Sequence, residues 1–149
     1  MLIEKELICL DVDLHNKEEI IDYLSRRAQA LGRINNLKEY QQAVRLREKE
    51  FSTALGYLVA IPHGQSEGVN EPFIVFGRLK NEVIWDKEPV KMVFLIGVPM
   101  KNRSRTHMMI LAHISKSLIS DSFRQSLLEA KTVEDVHKIL AEIEKKEKE

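Results

Sequence analysis

A histidine near the middle of the chain has neighbours that suit chemistry on a small anion. The stretch Ala60-Ile61-Pro62-His63-Gly64 is an apolar, strand-like run that ends in proline and then presents the imidazole. Proline fixes the backbone that enters the histidine, while glycine permits an unusual backbone angle and a close approach of a ligand to main-chain amides. Neutral imidazole can attack an electrophile such as phosphorus. His63 is therefore a candidate nucleophile, and the alternative is a turn histidine that caps a strand.

Two further polar residues occupy positions where an aliphatic residue would be expected. Arg47 falls on an apolar helical stripe with spacings of three and four, and His107 falls in the first turn of another. The stripe members are Leu37, Tyr40, Val44 and Phe51 around Arg47, and Leu111, Ile114 and Leu118 after His107. Polar groups on buried faces need partners, and a phosphoryl group on His63 would supply one for both residues. The alternative for Arg47 is a guanidinium that reaches past the apolar face to water.

Phosphoryl transfer fits this set of residues because it demands mainly positioning and charge neutralisation. A histidine acceptor, an arginine and a second histidine would suffice, so neither a cofactor nor a metal is expected. A small metal-dependent hydrolase that uses His63 and His107 is the competing enzyme class. It is disfavoured because the sequence has no H-x-H, H-E-x-x-H or paired-cysteine spacing, and because Arg47 beside a divalent cation would be repelled.

The elements that must position these residues alternate between helix and strand. Helical periodicity predicts helices from Asn16 to Leu31, from Asn36 to Phe51, after Ser104, from Asp121 to Ala130 and from Thr132 to about Glu144. Strand-like runs are Tyr57 to Ile61, Phe73 to Leu79 and Val90 to Val98. The last run is apolar on both alternating faces, as in a central strand covered on both sides by helices. The sequence therefore predicts an α/β fold, a three-layer α/β/α sandwich.

Composition bounds the class of protein. The 149 residues are 44% hydrophobic and 31% charged, which fits one compact domain over residues 1–149. Lys plus Arg and Asp plus Glu both number 23, so no global field would attract nucleic acid or an anionic membrane. The single Cys9 is expected to be a buried, inert thiol, and Trp85 is expected to pack in the core rather than face a partner. No segment has the apolar run of a membrane span, and the expected compartment is the cytoplasm.

The order of these motifs resembles a known family. Arg47-Glu48, Thr53-Ala54-Leu55-Gly56 and Ala60-Ile61-Pro62-His63-Gly64 are similar to the IIA domain of fructose/mannitol-type sugar phosphotransferase systems. Further matches are the Val90 to Ile96 strand, Thr106-His107-Met108 on a later helix, and Thr132-Val133-Glu134-Asp135 at the start of the last helix. The resemblance covers nearly the whole chain and implies that family's fold, a mixed β-sheet between helical layers.

The resemblance also implies roles for individual residues. His63 would accept a phosphoryl group from the phosphohistidine of the carrier protein HPr and pass it to a cysteine on a IIB component, which leads to sugar uptake. Arg47 would stabilise the phosphate, and His107 would be the second active-site histidine. The alternative within the family is a regulatory, nitrogen-type IIA protein whose phosphorylation state controls binding to other proteins. The chain has Ala54 and Leu58 where many members have glycine, which predicts a stiffer, more apolar loop before the active strand.

Overall fold

Long strands in the second half of the chain set the frame of the fold. The computed structural model describes the backbone of residues 3–100 and 105–148, and the side chains of residues 3–100 and 111–143. The strands are β1 (Ile8–Val12), β2 (Ala54–Gly56), β3 (Leu58–Ala60), β4 (His63–Ser66), β5 (Phe73–Trp85) and β6 (Glu88–Pro99). The helices are α1 (Lys17–Ala30), α2 (Leu37–Glu50), α3 (Arg105–Ser117), α4 (Asp121–Glu129) and α5 (Val133–Lys148).

β6 lies in the middle of one mixed sheet. In the described part of the chain the strands are ordered β1, β5, β6, β3, β2, and β4 also pairs with β6. β5 and β6 are antiparallel, as are β2 and β3, whereas β1 runs parallel to β5. β3 and β4 both run parallel to β6 and follow one another along the same edge of it. The segment that carries His63 is thus held against the central strand.

Helices cover both faces of the sheet, which explains why β6 is apolar on both faces from Met92 to Val98. Val93 and Leu95 belong to one core, and Met92, Phe94 and Ile96 belong to the other. The first core is completed by α1 and α2 through Ile20, Ile21, Leu24, Ala28, Tyr40 and Val44. The second is completed by α3, α4 and α5 through Ile114, Leu118, Leu127, Val136, Leu140 and Ile143. The predicted three-layer α/β/α sandwich with a mixed sheet is confirmed.

The first two helices begin where the sequence predicts. The side chain of Asn16 accepts a hydrogen bond from the backbone N–H of Glu19 at 2.9 Å, and that of Asn36 accepts one from Glu39 at 3.1 Å. Such caps satisfy backbone donors that have no partner within the helix. Gly32, with a φ of +76°, follows the end of α1. These local signals fix the ends of α1 and α2.

Cys9 and Trp85 are both core residues, as the sequence predicts. Burial raises the pKa of the Cys9 thiol, and the nearby Arg27 only partly opposes that effect. The Trp85 side chain is fully buried, and its indole N–H donates to the carboxylate of Glu48 at 3.4 Å. Neither side chain is exposed to a partner.

Candidate functional site

His63 opens a strand instead of ending one. β3 pairs with the first part of β6 and β4 pairs with the later part of the same edge. Ile61 and Pro62 connect β3 to β4. Pro62 has no N–H, but its carbonyl accepts a hydrogen bond from the N–H of Ile96 at 3.0 Å. The N–H of Ile61 donates instead to the carbonyl of Thr53 at 3.0 Å. The apolar strand ends before Pro62 as predicted, but a second strand, β4, begins at His63, where pairing with β6 resumes.

The imidazole of His63 has a defined hydrogen bond. Its side chain is half-buried, and Nδ1 lies 2.9 Å from the carbonyl oxygen of Ile61. A carbonyl oxygen only accepts, so Nδ1 must carry the proton of this bond. In the neutral ring the other nitrogen, Nε2, then keeps its lone pair. This tautomer leaves Nε2 as the ring nitrogen with an available lone pair.

Gly64 brings helix α2 against the strand of His63. A Cβ at position 64 would lie 3.0 Å from Cγ2 of Val44, 3.1 Å from the backbone nitrogen of Val44 and 3.3 Å from Cβ of Ala43. The sequence-based expectation of an unusual backbone angle at Gly64 was wrong, because its φ lies outside the left-handed region. The glycine is needed for the close approach of two backbones. That approach sets the distance between α2 and β4.

Arg47 lies on α2, one helical turn beyond the residues that contact Gly64. Its side chain is half-buried, and its Nη1 donates to the carbonyl oxygen of Phe51 at 2.8 Å. This bond uses one of the five N–H donors of the guanidinium. The structure therefore places the arginine on the helix that packs against the strand of His63, and its guanidinium bonds to the backbone just beyond the helix C-terminus.

The inward stripe of α2 differs from the predicted one at its end. Tyr40 and Val44 are buried as predicted, but the next buried residue is Glu48, whereas Arg47 is only half-buried. Phe51 is 77% exposed because the helix ends at Glu50 and the chain continues in an extended conformation. The prediction of Phe51 as an inward residue was wrong, Arg47 is only partly inward, and the buried charged residue of the stripe is Glu48.

Glu48 is the polar residue that sequence reasoning missed. Its carboxylate accepts hydrogen bonds from the hydroxyl of Thr53, from the N–H of Thr53 at 3.4 Å and from the indole of Trp85 at 3.4 Å. Nζ of Lys17 lies 3.7 Å from Glu48 and 2.8 Å from Asp86. The sequence did carry a signal for its burial, since Tyr40, Val44 and Glu48 are spaced by four residues and share one helical face. A carboxylate on that face needs buried hydrogen-bond partners.

Lys17 and Asp86, the charged residues beside Glu48, stabilise each other's ionised forms. Burial lowers the pKa of the Lys17 ammonium, but the nearby carboxylates, Asp86 foremost, raise it above its usual value. The hydrogen bond from Lys17 in turn lowers the pKa of Asp86, and Ser52 adds a second hydrogen bond to that carboxylate. The C-terminus of α2 is thereby tied to the start of α1 and to the turn between β5 and β6.

His107 lies on α3, in the helical layer opposite α2, and its side chain falls outside the described residues. The rest of its predicted stripe is partly confirmed: Ile114 and Leu118 are buried in the second core, and Leu111 packs against that core while half-buried. Ser104, after which this helix is predicted to begin, also lies outside the described residues. The position of the His107 imidazole relative to His63 therefore stays a prediction.

The tight connection between β2 and β3 has a left-handed backbone at one glycine and at two residues that carry a Cβ. Gly56, Tyr57 and Leu58 have φ values of +85°, +57° and +68°. Such angles are costly for residues with a Cβ. The guanidinium of Arg124, which is itself buried, lies 4.2 Å from the centre of the Tyr57 ring. This cation–π contact is a tertiary contact made by the turn in which Tyr57 and Leu58 adopt the left-handed conformation that glycine favours.

The described residues offer neither a metal centre nor a membrane-spanning helix. Among their side chains, no group of three or more His, Cys, Asp or Glu could hold a metal ion. No helix in the described part of the chain has both the length and the apolar character needed to cross a membrane.

Similarity to known proteins agrees with the fold and the motifs. Residues 1–143 match the family described as phosphoenolpyruvate-dependent sugar phosphotransferase system, EIIA 2. The chain belongs to this EIIA type-2 family, whose members are components of a phosphotransferase system.

Two relatives illustrate the similarity in sequence. The chain is 33% identical over 141 residues to a fructose-specific EIIA component from Haloferax volcanii, which covers 93% of this chain and 91% of the relative. It is 31% identical over 147 residues to a fructose-specific EIIABC component from Bacillus subtilis, which covers 97% of this chain. The chain spans only 23% of that longer relative.

Two solved structures illustrate the similarity in fold. The nitrogen regulatory protein IIA-Ntr from Neisseria meningitidis has a TM-score of 0.85 at 27% identity, with 93% of this chain and 96% of that one covered. Enzyme IIAMTL from Escherichia coli, in its complex with phosphorylated IIBMTL, has a TM-score of 0.79 at 25% identity. That match covers 94% of this chain and 97% of the other.

Proposed function

We propose that the chain is a phosphohistidine carrier that acts as one EIIA domain. It accepts a phosphoryl group from phospho-HPr on His63 and passes it to a IIB component during sugar uptake. The observation that carries the proposal is the hydrogen bond from Nδ1 of His63 to the Ile61 carbonyl at 2.9 Å. Because Nδ1 holds the proton, Nε2 is left with the lone pair that a phosphoryl acceptor needs.

The two transfers balance without a cofactor. In the first, Nε2 of His63 attacks phosphorus, the phosphorus–nitrogen bond of phospho-HPr breaks, and its electron pair returns to the donor imidazole. In the second, a cysteine thiolate of IIB attacks the same phosphorus, and the electron pair of the breaking phosphorus–nitrogen bond returns to Nε2. While Nδ1 keeps its proton, the phosphorylated ring of His63 is positively charged and is a good leaving group. The Ile61 carbonyl stabilises that charge in place.

Arg47 and His107 complete the proposed site. The guanidinium of Arg47 would neutralise the phosphoryl oxygens, which needs planar donors rather than a point charge. Helix α2, which carries Arg47, packs directly on Gly64 next to His63, and this contact supports that role. His107 would supply a second donor from α3 on the other face of the sheet. Few contacts suit a carrier, because the site must stabilise the group in transit without trapping it.

Two related proteins support the proposed partner and the proposed role in transport. The IIB partner is supported by the related IIAMTL, which is solved in complex with a phosphorylated IIB. The transport role is supported by the relative from Haloferax volcanii, which carries the name fructose-specific EIIA component. The proposal places this work in the cytoplasm and needs neither nucleic acid nor insertion into a membrane.

A second candidate is a regulatory IIA protein of the nitrogen type. It is favoured by the fold similarity to IIA-Ntr from Neisseria meningitidis. Both candidates use His63, and they differ in the consequence of its phosphorylation. A carrier hands the group to a IIB cysteine, whereas a regulator forms a stable complex that depends on the phosphorylation state.

The test is intact-mass spectrometry after incubation with phosphoenolpyruvate, enzyme I and HPr. We expect a gain of one acid-labile phosphoryl group, lost in His63→Ala and retained in the control His15→Ala, which removes an exposed histidine. Subsequent addition of IIB components should remove the group if the chain serves transport. A gain that persists in His63→Ala would contradict the proposed acceptor.

A further inference from the structure

A continuous line of hydrogen bonds joins the buried carboxylate of Glu48 to the imidazole of His63. Glu48 accepts from the hydroxyl and the N–H of Thr53. The carbonyl of Thr53 accepts from the N–H of Ile61 at 3.0 Å. The carbonyl of Ile61 accepts from Nδ1 of His63 at 2.9 Å. These four residues, from α2, from β4 and from the segments that precede β2 and β4, are thus connected in one sequence of bonds.

Glu48 and the segment of Ile61 and Pro62 are held by contacts outside this line. The side chain of Glu48 is 4% exposed and is held by Trp85 and Lys17. Thr53 is 3% exposed and lies in the extended segment between α2 and β2, where no helical hydrogen bonds hold the backbone. Pro62, which follows Ile61, accepts from β6 through its carbonyl. Thr53 is therefore the link that sets the orientation of the Ile61 peptide from the side of α2.

We propose that Glu48 is a positioning residue for His63, acting through Thr53 and Ile61. By fixing Thr53 it orients the Ile61 peptide, whose carbonyl selects the Nδ1–H tautomer and aims Nε2 at the incoming phosphorus. This inference rests on the proposed function, in which Nε2 of His63 is the phosphoryl acceptor. Glu48 itself touches neither the imidazole nor the phosphoryl group, so it is not a catalytic residue.

This line of hydrogen bonds matters because the neutral imidazole of His63 has two tautomers. A neutral imidazole without a fixed partner can carry its proton on either nitrogen, and only the Nδ1–H form leaves Nε2 nucleophilic. If the Ile61 carbonyl were loosely held, it would no longer select the Nδ1–H tautomer or orient the imidazole ring. The apparent rate of phosphoryl acceptance then falls with the fraction of molecules in the competent state.

The experiment compares Thr53→Val, which removes the hydroxyl at nearly constant shape, with Thr53→Ser, which keeps it. Glu48→Gln is the second disruptive variant. Ser25→Ala is the matched control, because Ser25 is a buried hydroxyl in the same helical layer, bonded to Gln41 at 2.8 Å and without a link to His63. Thermal denaturation of each variant establishes that it is folded.

The decisive readout is the pair of ring ¹⁵N shifts of His63 in the unphosphorylated protein, which reports the tautomer directly. We expect pure Nδ1–H in the wild type, Thr53→Ser and Ser25→Ala, and mixed tautomers in Thr53→Val and Glu48→Gln. In these two, kcat for acceptance from phospho-HPr should fall about tenfold while KM changes little.

The two proposals fail in different ways. Wild-type ¹⁵N shifts and kcat in folded Thr53→Val or Glu48→Gln would overturn the positioning role, even if His63 is phosphorylated. If Ser25→Ala shifts the tautomer equally, the effect is general loosening of the fold, and the positioning role is also overturned. A wild type that gains no phosphoryl group would refute the proposed function, while the ¹⁵N shifts would still test the line of hydrogen bonds.

Discussion

The hydroxyl of Tyr40 donates a hydrogen bond of 2.7 Å to the carbonyl oxygen of Ile96, the residue that lies opposite His63 in the register of β4 and β6. Tyr40 is fully buried and its ring packs edge-on against Phe73. Helix α2 is thus fastened to the central strand directly beside the strand of the proposed nucleophile. The contact links the packing of the first core to the geometry of the site.

Tyr40→Phe should therefore destabilise the fold by about 1–3 kcal/mol, because it leaves a buried carbonyl without this donor. Burial raises the pKa of the Tyr40 phenol well above its ordinary value of 10.0. A raised pKa means that the stability from the neutral hydroxyl is complete below the ordinary pKa and is lost as the pH rises further.

The measurement is urea denaturation of wild type and Tyr40→Phe across neutral and alkaline pH. The gap in free energy of unfolding should be constant at neutral pH and should shrink above pH 10.0, the ordinary phenol value. Tyr57→Phe is the control, since Tyr57 is 67% exposed and keeps its ring. A constant gap at all pH values would argue against a buried neutral hydroxyl at Tyr40.

Gly64→Ala should cost about 1–3 kcal/mol through overpacking, because the new Cβ meets the backbone of α2. It should also slow phosphorylation of His63, since α2 carries Arg47. Gly77→Ala is the matched control, because the nearest atoms to its Cβ belong to the side chain of Leu24 and not to a backbone. Melting temperatures and phosphorylation rates would be compared, and equal effects of the two substitutions would contradict the close-approach explanation.

Gly56→Ala isolates the cost of the left-handed backbone in the loop before β3. Gly56 has a φ of +85°, and a Cβ added there would meet no atom within 4 Å, so only backbone strain is added. The expected loss is about 1 kcal/mol. Gly32→Ala, with a φ of +76° and equally open space, should lose a similar amount at a distance from the site. Unchanged thermal stability of Gly56→Ala would mean that the loop relaxes to another conformation.

Arg47→Ala and His107→Ala should each slow phosphoryl transfer by about 10²–10³-fold, the range seen when one charge-stabilising donor is removed. Arg47→Lys should restore only part of the rate, because an ammonium lacks the planar pair of donors. Rapid-quench kinetics with phospho-HPr provides the measurement, and Arg45→Ala, a neighbouring and exposed arginine of α2, is the control. Transfer at the wild-type rate in Arg47→Ala or His107→Ala would remove the role assigned to that residue.

Much of the fold could be predicted because its signals are local. The starts of α1 and α2 at Asn16 and Asn36 and the two apolar faces of β6 were each predictable from a few neighbouring residues. β4 could not be predicted in this way, because its sequence His63 to Ser66 has no apolar alternation. It is a strand because β6 is long enough to pair with it after the break at Pro62.

The residue types of the candidate site were predictable, but the tertiary contacts that hold those residues in place were not. Arg47 and Glu48 are adjacent, and both fit the stripe that begins at Tyr40, so periodicity could not decide which is buried. Glu48 is the buried residue because Trp85 and Lys17, which lie far away in the sequence, contact its carboxylate. The same holds for Gly64, where the need for glycine comes from contact with Val44 rather than from its own backbone angle.

The central claim is that Nε2 of His63 carries the phosphoryl group while Nδ1 stays bonded to the Ile61 carbonyl. The most direct test is NMR of the phosphorylated, ¹⁵N-labelled chain, in which coupling between ³¹P and a ring nitrogen identifies the bonded atom. We expect coupling to Nε2 of His63 and a protonated Nδ1. Coupling to Nδ1, or to a nitrogen of another histidine, would contradict the account.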